Sequence, residues 1–183
     1  MEKSFEELNK ILDSGSKEEK IKNLESLTET TDSKIINKII SMLDDPDIEV
    51  RGETFSVLVQ NENNISKFLI KNLNSESENI RGFLALILAN RNNSEAISSI
   101  IKLTNDSSSL VRSCALGALG YLKADQASKA IHSCLSDTDL EVKKSALKAV
   151  IDIGDKIHPE EINEISKERD DDLEKLLVLA RQN

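Results

Sequence analysis

The sequence predicts an all-α protein, a solenoid of about six antiparallel helix pairs. Three observations carry the prediction: a short segment recurring about every thirty-one residues, apolar positions at helical spacing behind each recurrence, and a near-absence of aromatic side chains. Aromatic residues make up 3% of the 183-residue chain and Trp is missing, so the core is left to Ile, Leu, Val and Ala, which suits closely packed helices better than a β-sandwich.

The recurring segments are Asp47-Ile48-Glu49-Val50-Arg51, Ser77-Glu78-Asn79-Ile80-Arg81, Ser108-Ser109-Leu110-Val111-Arg112 and Asp139-Leu140-Glu141-Val142-Lys143, whose basic residues are spaced by 30, 31 and 31. Each opens on Asp or Ser four residues ahead of the basic residue, where a side-chain oxygen can accept from the free amides of a first helical turn. An aliphatic residue precedes each basic one. Further apolar residues follow four and seven positions after it: Phe55 and Leu58, Ala85 and Leu88, Leu116 and Leu119, Leu147 and Val150. This spacing places one apolar stripe on one helix face. Thirty-one residues before Arg51 stands Lys20, behind a cap at Ser16 and a capping-box Glu19, with Leu24 and Leu27 at the apolar positions.

Between these helices lies a second helical run in each period: 35–43, 65–73, 96–103 and 127–135. Residues 5–12 supply the same element at the front, and 160–167 with 173–180 form a looser sixth pair. Turn residues divide the pairs, with Asp44-Asp45-Pro46, Asn74-Ser75, Asn105-Asp106-Ser107 and Ser136-Asp137 on one side and 61–64, 91–94 and Gly154-Asp155 on the other. The pairs expected are about 1–30, 31–61, 62–91, 92–122, 123–154 and 155–183. Since one pair cannot bury its apolar face alone, they are expected to stack as a single domain, 1–183.

The run from Asp106 through Val111-Arg112, Ala115, Leu119 and Gly120 resembles the short HEAT-like repeats of phycobilin lyase subunits, and the resemblance extends over nearly the whole chain. It implies a right-handed α-solenoid, a HEAT-like or armadillo-type superhelix, with the Val-Arg helices on the concave side. It also implies a structural ladder in which Arg51, Arg81, Arg112 and Lys143 pair with turn carboxylates. Candidate acids are Asp45, Asp106 and Asp137, each six residues before its basic residue; Ser75 and Lys143 depart from the pattern, so the ladder is expected to weaken around the third and fifth pairs.

Charge and composition exclude several functions. Thirty-three acidic against 24 basic residues give a net charge of -9, which opposes phosphate neutralisation and argues against nucleic acid. Lys144 and Lys148 alone add basic charge to the expected concave register, too little for a duplex-holding face. No run approaches the roughly 18 apolar residues of a membrane span, and the N-terminus has no basic start, so a cytoplasmic protein without a membrane partner is expected. Cys114 and Cys134 lie outside any Cys-x-x-Cys pair and read as free thiols. HEAT proteins that hold iron do so through His-Glu dipeptides, whereas His132 precedes Ser133 and His158 precedes Pro159. His132 and Cys134, two apart on a helix, point in different directions. Acidic runs are accounted for by helix capping and the macrodipole. No metal, cofactor or catalytic residue is therefore expected.

Positions one, two, five and nine after each basic residue should face the groove. In the second and fifth pairs they are polar (Gly52, Glu53, Ser56, Gln60; Lys144, Ser145, Lys148, Asp152), whereas in the middle they become Gly82, Phe83, Leu86, Asn90 and Ser113, Cys114, Gly117, Tyr121. Two readings stand. Phe83, Leu86, Ser113, Gly117 and Tyr121 form a docking surface for a peptide or helix of a partner, or the helix around Phe83 to Ala89, apolar all round, is deeply buried. The expected function is a protein-interaction module or scaffold, monomeric and not an enzyme; the resemblance adds an alternative, an accessory or lyase-like subunit acting on a bound protein or chromophore.

Overall fold

In the computed structural model, which describes residues 4–181, the described residues hold twelve α-helices and no strand. They are α1 (Phe5–Ser14), α2 (Lys17–Glu25), α3 (Ser33–Ser41), α4 (Ile48–Gln60), α5 (Ser66–Lys71), α6 (Glu78–Asn90), α7 (Ile97–Leu103), α8 (Ser109–Tyr121), α9 (Ser128–Ser133), α10 (Leu140–Ile153), α11 (Pro159–Ile165) and α12 (Asp171–Ala180). Single 3-10 turns extend α3, α5 and α9 at their C-terminal ends (Met42–Asp44, Asn72–Asn74, Cys134–Ser136) and precede α7 and α9. The runs expected as continuous helices at 35–43, 65–73 and 127–135 are therefore shorter α-helices that tighten at the end, satisfying trailing carbonyls by i→i+3 bonds. No helix among the described residues is long and apolar enough to cross a membrane.

The chain divides into two compact units, Met1–Arg91 with α1–α6 and Asn92–Asn183 with α7–α12. In the first, α2, α4 and α6 lie side by side as one layer, while α3 packs on α4 and α5, and α5 on α6. The second repeats the plan: α10 lies between α8 and α12, with α7 against α8 and α9 against α10. This two-layer arrangement of helix pairs is the HEAT and armadillo class of fold.

The expected helix starts fall where the capping residues are. Asp47 accepts from the Glu49 and Val50 amides at 2.8 and 3.4 Å, Asp139 from Glu141 and Val142 at 2.9 and 3.2 Å, and Ser77 from Ile80 at 3.3 Å. Ser16 and Glu19 close the capping box on α2, and Ser4 with Glu7 makes a second on α1 that the sequence reading did not anticipate. Ser108 occupies the cap position of α8 but makes no side-chain cap bond. The turn there is closed from upstream, since Asp106 Oδ1 accepts from the Ser108 amide at 2.9 Å.

Val50, Val111 and Val142 are buried, as are Leu58, Leu88, Leu116, Leu119, Leu147 and Val150. A fully buried Leu or Val contributes about 1.5–3 kcal/mol relative to its exposed state. Phe55 and Ile80 break the stripe and are half-buried. The position three after each basic residue is filled instead, by Thr54, Leu84, Ala115 and Ala146, all fully buried. Thr54 can lie inside because its hydroxyl donates to the Val50 carbonyl at 2.7 Å. Between α8 and α10 the approach is close enough that a Cβ on Gly120 would sit 3.2 Å from Ala149 Cα, and Gly154 ends α10 in the left-handed region, at φ 75°.

The basic ladder runs in a different register from the one the resemblance implied. Arg51, Arg81 and Arg112 each turn Nη1 onto two carbonyls of their own turn: Asp45 and Pro46, Ser75 and Glu76, Asp106 and Ser107. The residue six positions earlier thus offers its carbonyl to the guanidinium, not its carboxylate. Within each unit the carboxylate comes from the following turn, 25 residues on. Lys20 Nζ meets Asp45 at 2.7 Å, Arg112 grips Asp137 through Nε and Nη2 at 2.8 Å each, and Lys143 pairs with Glu168. Asp45 Oδ1, the oxygen that Lys20 does not take, and Asp137 Oδ1, which Arg112 Nη2 also reaches, accept the amides of Asp47 and Asp139 at 2.9 Å. One carboxylate therefore closes its own turn and anchors the helix of the preceding pair. Ser75 stands at that position in the turn after α5, where its hydroxyl accepts the Ser77 amide at 3.3 Å.

At the opposite ends of the helices a second set of staples appears. The Arg91 guanidinium gathers carbonyls of Leu58, Asn61 and Asn63 at the end of α4, and the Asn61 and Asn63 amides reach back to Thr30 and Glu29 at 2.8 and 2.9 Å. Lys123 does the same for the Asp152 carbonyl in the second unit.

The Arg112–Asp137 fork is charge-assisted, bidentate and largely sheltered. Replacing Asp137 by Asn should cost about 2 kcal/mol at pH 7, measured by urea unfolding. Hydrogen bonds from Arg112, chiefly, hold the Asp137 carboxyl below its ordinary range. Its stabilisation is then whole above the unfolded carboxyl pKa of about 4 and fades as pH falls through the lower native value, so the gap between wild type and Asp137→Asn should close on acidification.

Candidate functional site

In the first unit the register that places Thr54 and Leu84 inside leaves their neighbours facing outward. α4 presents Ile48, Arg51, Gly52 and Phe55, and α6 presents Phe83 and Leu86. Together these six residues line an open depression of about 290 Å³. Ile48 is 72% exposed. Phe55, Phe83 and Leu86 are half-buried, and a Cβ added at Gly52 would meet nothing within 4 Å. A short apolar trough results, its one charged member being Arg51, whose Nη1 is already held by turn carbonyls. Nearby on α4, burial pushes the Glu53 carboxyl above its ordinary value, and the charge of Glu25 adds to the shift.

The other candidates lie on α8 in the second unit. Ser113 is half-buried, Gly117 is exposed, and Tyr121 is 57% exposed. Among the positions expected to face the groove, Gly82 is buried, while the rest are half-buried or exposed. Structure thus places Phe83 and Leu86 together in the trough and joins them to Ile48 and Phe55, which the sequence reading had put on the buried stripe or left unassigned.

A second cluster was missed altogether. His132 on α9, His158 at the cap of α11 and Glu161 in its first turn bring one ligand-type atom each within 4.8 Å of the others. His132 Nδ1 stands 2.7 Å from Glu161 Oε1 and its Nε2 lies 3.4 Å from Asp155 Oδ2. The two imidazole centroids are 5.3 Å apart, tilted by 39°. Glu161 also accepts the His158 amide at 2.8 Å, fixing its carboxylate across the start of α11. Asp155 is held below the usual carboxyl range mainly by the Ser128 hydroxyl, then by the Lys156 amide, with His132 contributing less. The repeat itself held the signal: Glu161 follows His132 by 29 residues, close to one period, so stacked pairs place them side by side.

A family model described as HEAT repeats matches residues 66–151, from α5 to α10. No curated protein matches the sequence. Among solved structures, YibA of E. coli is similar at TM-score 0.65 and 18% identity, over 96% of this chain and 69% of that one. The CpcE–CpcF complex of phycocyanin lyase from Nostoc sp. PCC7120 is similar at 0.57 and 18%, over 97% and 76%. A designed armadillo repeat protein in complex with the peptide (KR)4 is similar at 0.58 and 16%, over 98% and 99%. At these identities the likeness is one of fold.

Cys114, beside Ser113 on α8, is half-buried, and burial pushes its thiol up to about 11 from 9.0. Near pH 8 the native thiol should alkylate about 100-fold more slowly than in the unfolded chain, a difference that mass spectrometry after timed iodoacetamide treatment will show.

Proposed function

Residues 66–151 being HEAT repeats, we propose that this chain is a protein-binding module that acts by presenting a helical surface and carries out no reaction of its own. The observation that supports it is the apolar trough on α4 and α6. Phe83 and Leu86, flanked by Phe55 and Ile48, offer a contiguous apolar surface, which a chain would otherwise bury unless it served contact with another molecule. The occupant is a partner's peptide or helix inserting an apolar side chain above Gly52, where the helix carries no side chain to obstruct it. Flanking residues of that segment would be neutral or basic, because the chain's net charge of -9 repels an acidic partner. The designed armadillo protein in complex with the peptide (KR)4 is in keeping with this reading, since a fold of this class there holds a peptide. Tyr121 on α8 is a separate exposed anchor of the second unit. An accessory or lyase-like role has the likeness to the CpcE–CpcF complex behind it, and that likeness is one of fold.

Position 52 provides the test, since a photo-crosslinking residue there projects into open space. Irradiation in native lysate should trap a partner from position 52 and not from Lys67, which is exposed on α5. Phe83→Asp or Leu86→Asp, shown by circular dichroism to keep its helix content, should weaken binding by at least about 2 kcal/mol, roughly 30-fold. Equal capture by wild type and both variants would remove the trough from consideration, and Tyr121→Asp would then report on the second unit separately.

A further inference from the structure

The His132, His158 and Glu161 cluster raises a question of protons. A neutral imidazole has one N–H and one lone pair. His132 faces a carboxylate oxygen at both nitrogens, Glu161 at 2.7 Å from Nδ1 and Asp155 at 3.4 Å from Nε2. Whichever nitrogen lacks its hydrogen would set a lone pair against an anion. A cation at one side relieves the conflict, either a second ring proton or a metal ion, and the clustering of ligand atoms points to the metal. Nδ1 is the side we assign to it, because Glu161 lies against that nitrogen at 2.7 Å and His158 offers a further ligand-type atom within 4.8 Å in the same cluster.

We propose that His132 Nδ1, a ring nitrogen of His158 and the Glu161 carboxylate bind a zinc ion, with Asp155 accepting from His132 Nε2–H behind it. Two imidazoles and one carboxylate form a donor set for zinc or a related transition ion, whereas calcium and magnesium call for oxygen ligands throughout. Ligand atoms on one zinc ion at about 2.0–2.1 Å stand roughly 3.3–3.5 Å apart. The three atoms here lie within 4.8 Å of one another, and the His132–Glu161 pair, at 2.7 Å, opens slightly to admit the ion. The exposed His158 ring, 5.3 Å from that of His132 between centroids, completes the set. A carboxylate behind a metal-bound imidazole fixes its tautomer and raises its basicity, which is the place Asp155 occupies. Asp155 is itself held by the Ser128 hydroxyl, on the same Oδ2, and by the Lys156 amide, on Oδ1.

The consequence for the fold is local. Within α11, Ile165 is the one buried side chain, so the helix has little apolar grip on the second unit. A zinc ion joining it to α9 would make its docking depend on metal.

The test uses the whole chain, freed of metal by chelation and titrated with zinc chloride in a calorimeter. One equivalent should bind saturably and raise the thermal unfolding midpoint. Cobalt(II) in the same position should give a ligand-field spectrum without a thiolate charge-transfer band, which separates this cluster from Cys114 and Cys134. His158→Ala should abolish stoichiometric binding and with it the zinc-induced rise in midpoint, measured against that variant's own metal-free value; Glu161→Gln should weaken binding at least about tenfold. Absence of saturable zinc binding would overturn the proposal. Binding that survives both variants, or a thiolate band with cobalt, would overturn it equally.

Discussion

A helix pair of about thirty residues has too little apolar surface to close on itself, and that shortage governs the rest of this structure. Within each unit the Val-Arg helices bury residues against one another, and the interiors are built accordingly, from fully buried Val50 and Leu84 in the first unit and Ala115 and Ala146 in the second. Small residues at the seam between α8 and α10, Gly120 and Ala149 among them, let backbones approach where larger side chains would hold them apart. Stacking leaves the helix ends, with their unpaired carbonyls and amides, as the polar problem to be solved at every turn.

The ladder solves it with few residues. Arg51, Arg81 and Arg112, near the starts of their helices, tie down carbonyls of their own turns. Lys20, Arg112 and Lys143 reach an acid in the next turn, so cap, turn and stacking contact are coupled through one group. An Arg does both at once because its guanidinium presents donors in several directions; a Lys has one nitrogen to give. Hence Arg112 holds carbonyls and carboxylate together, while Lys143 pairs with the Glu168 carboxylate.

Much of this was legible in the sequence because it is local. The caps at Asp47, Ser77 and Asp139, the period, and the alternation of helices all follow from residues a few positions apart. What could not be read depends on how one pair sits on the next. The resemblance assigned Asp137 to Lys143, six residues away, and the structure gives it to Arg112, twenty-five residues earlier in the chain. Helix rotation was read to within one position: Phe55 was expected inside, yet Thr54 takes the place and Phe55 turns to the trough. His132 and His158 looked unrelated because nothing local links them, whereas α9 and α11 bring them together.

The stagger of the ion pairs also decides where the chain can be cut. A segment excised from one turn to the next carries a cation from one rung and an anion from another, and leaves both their partners behind in a sheltered setting. The exchangeable module is therefore not the helix pair. It runs from a basic residue to the acid 25 positions downstream, Arg112 to Asp137 for example, and chimaeras joined just outside such spans would keep each of these ladder charges with its counterpart.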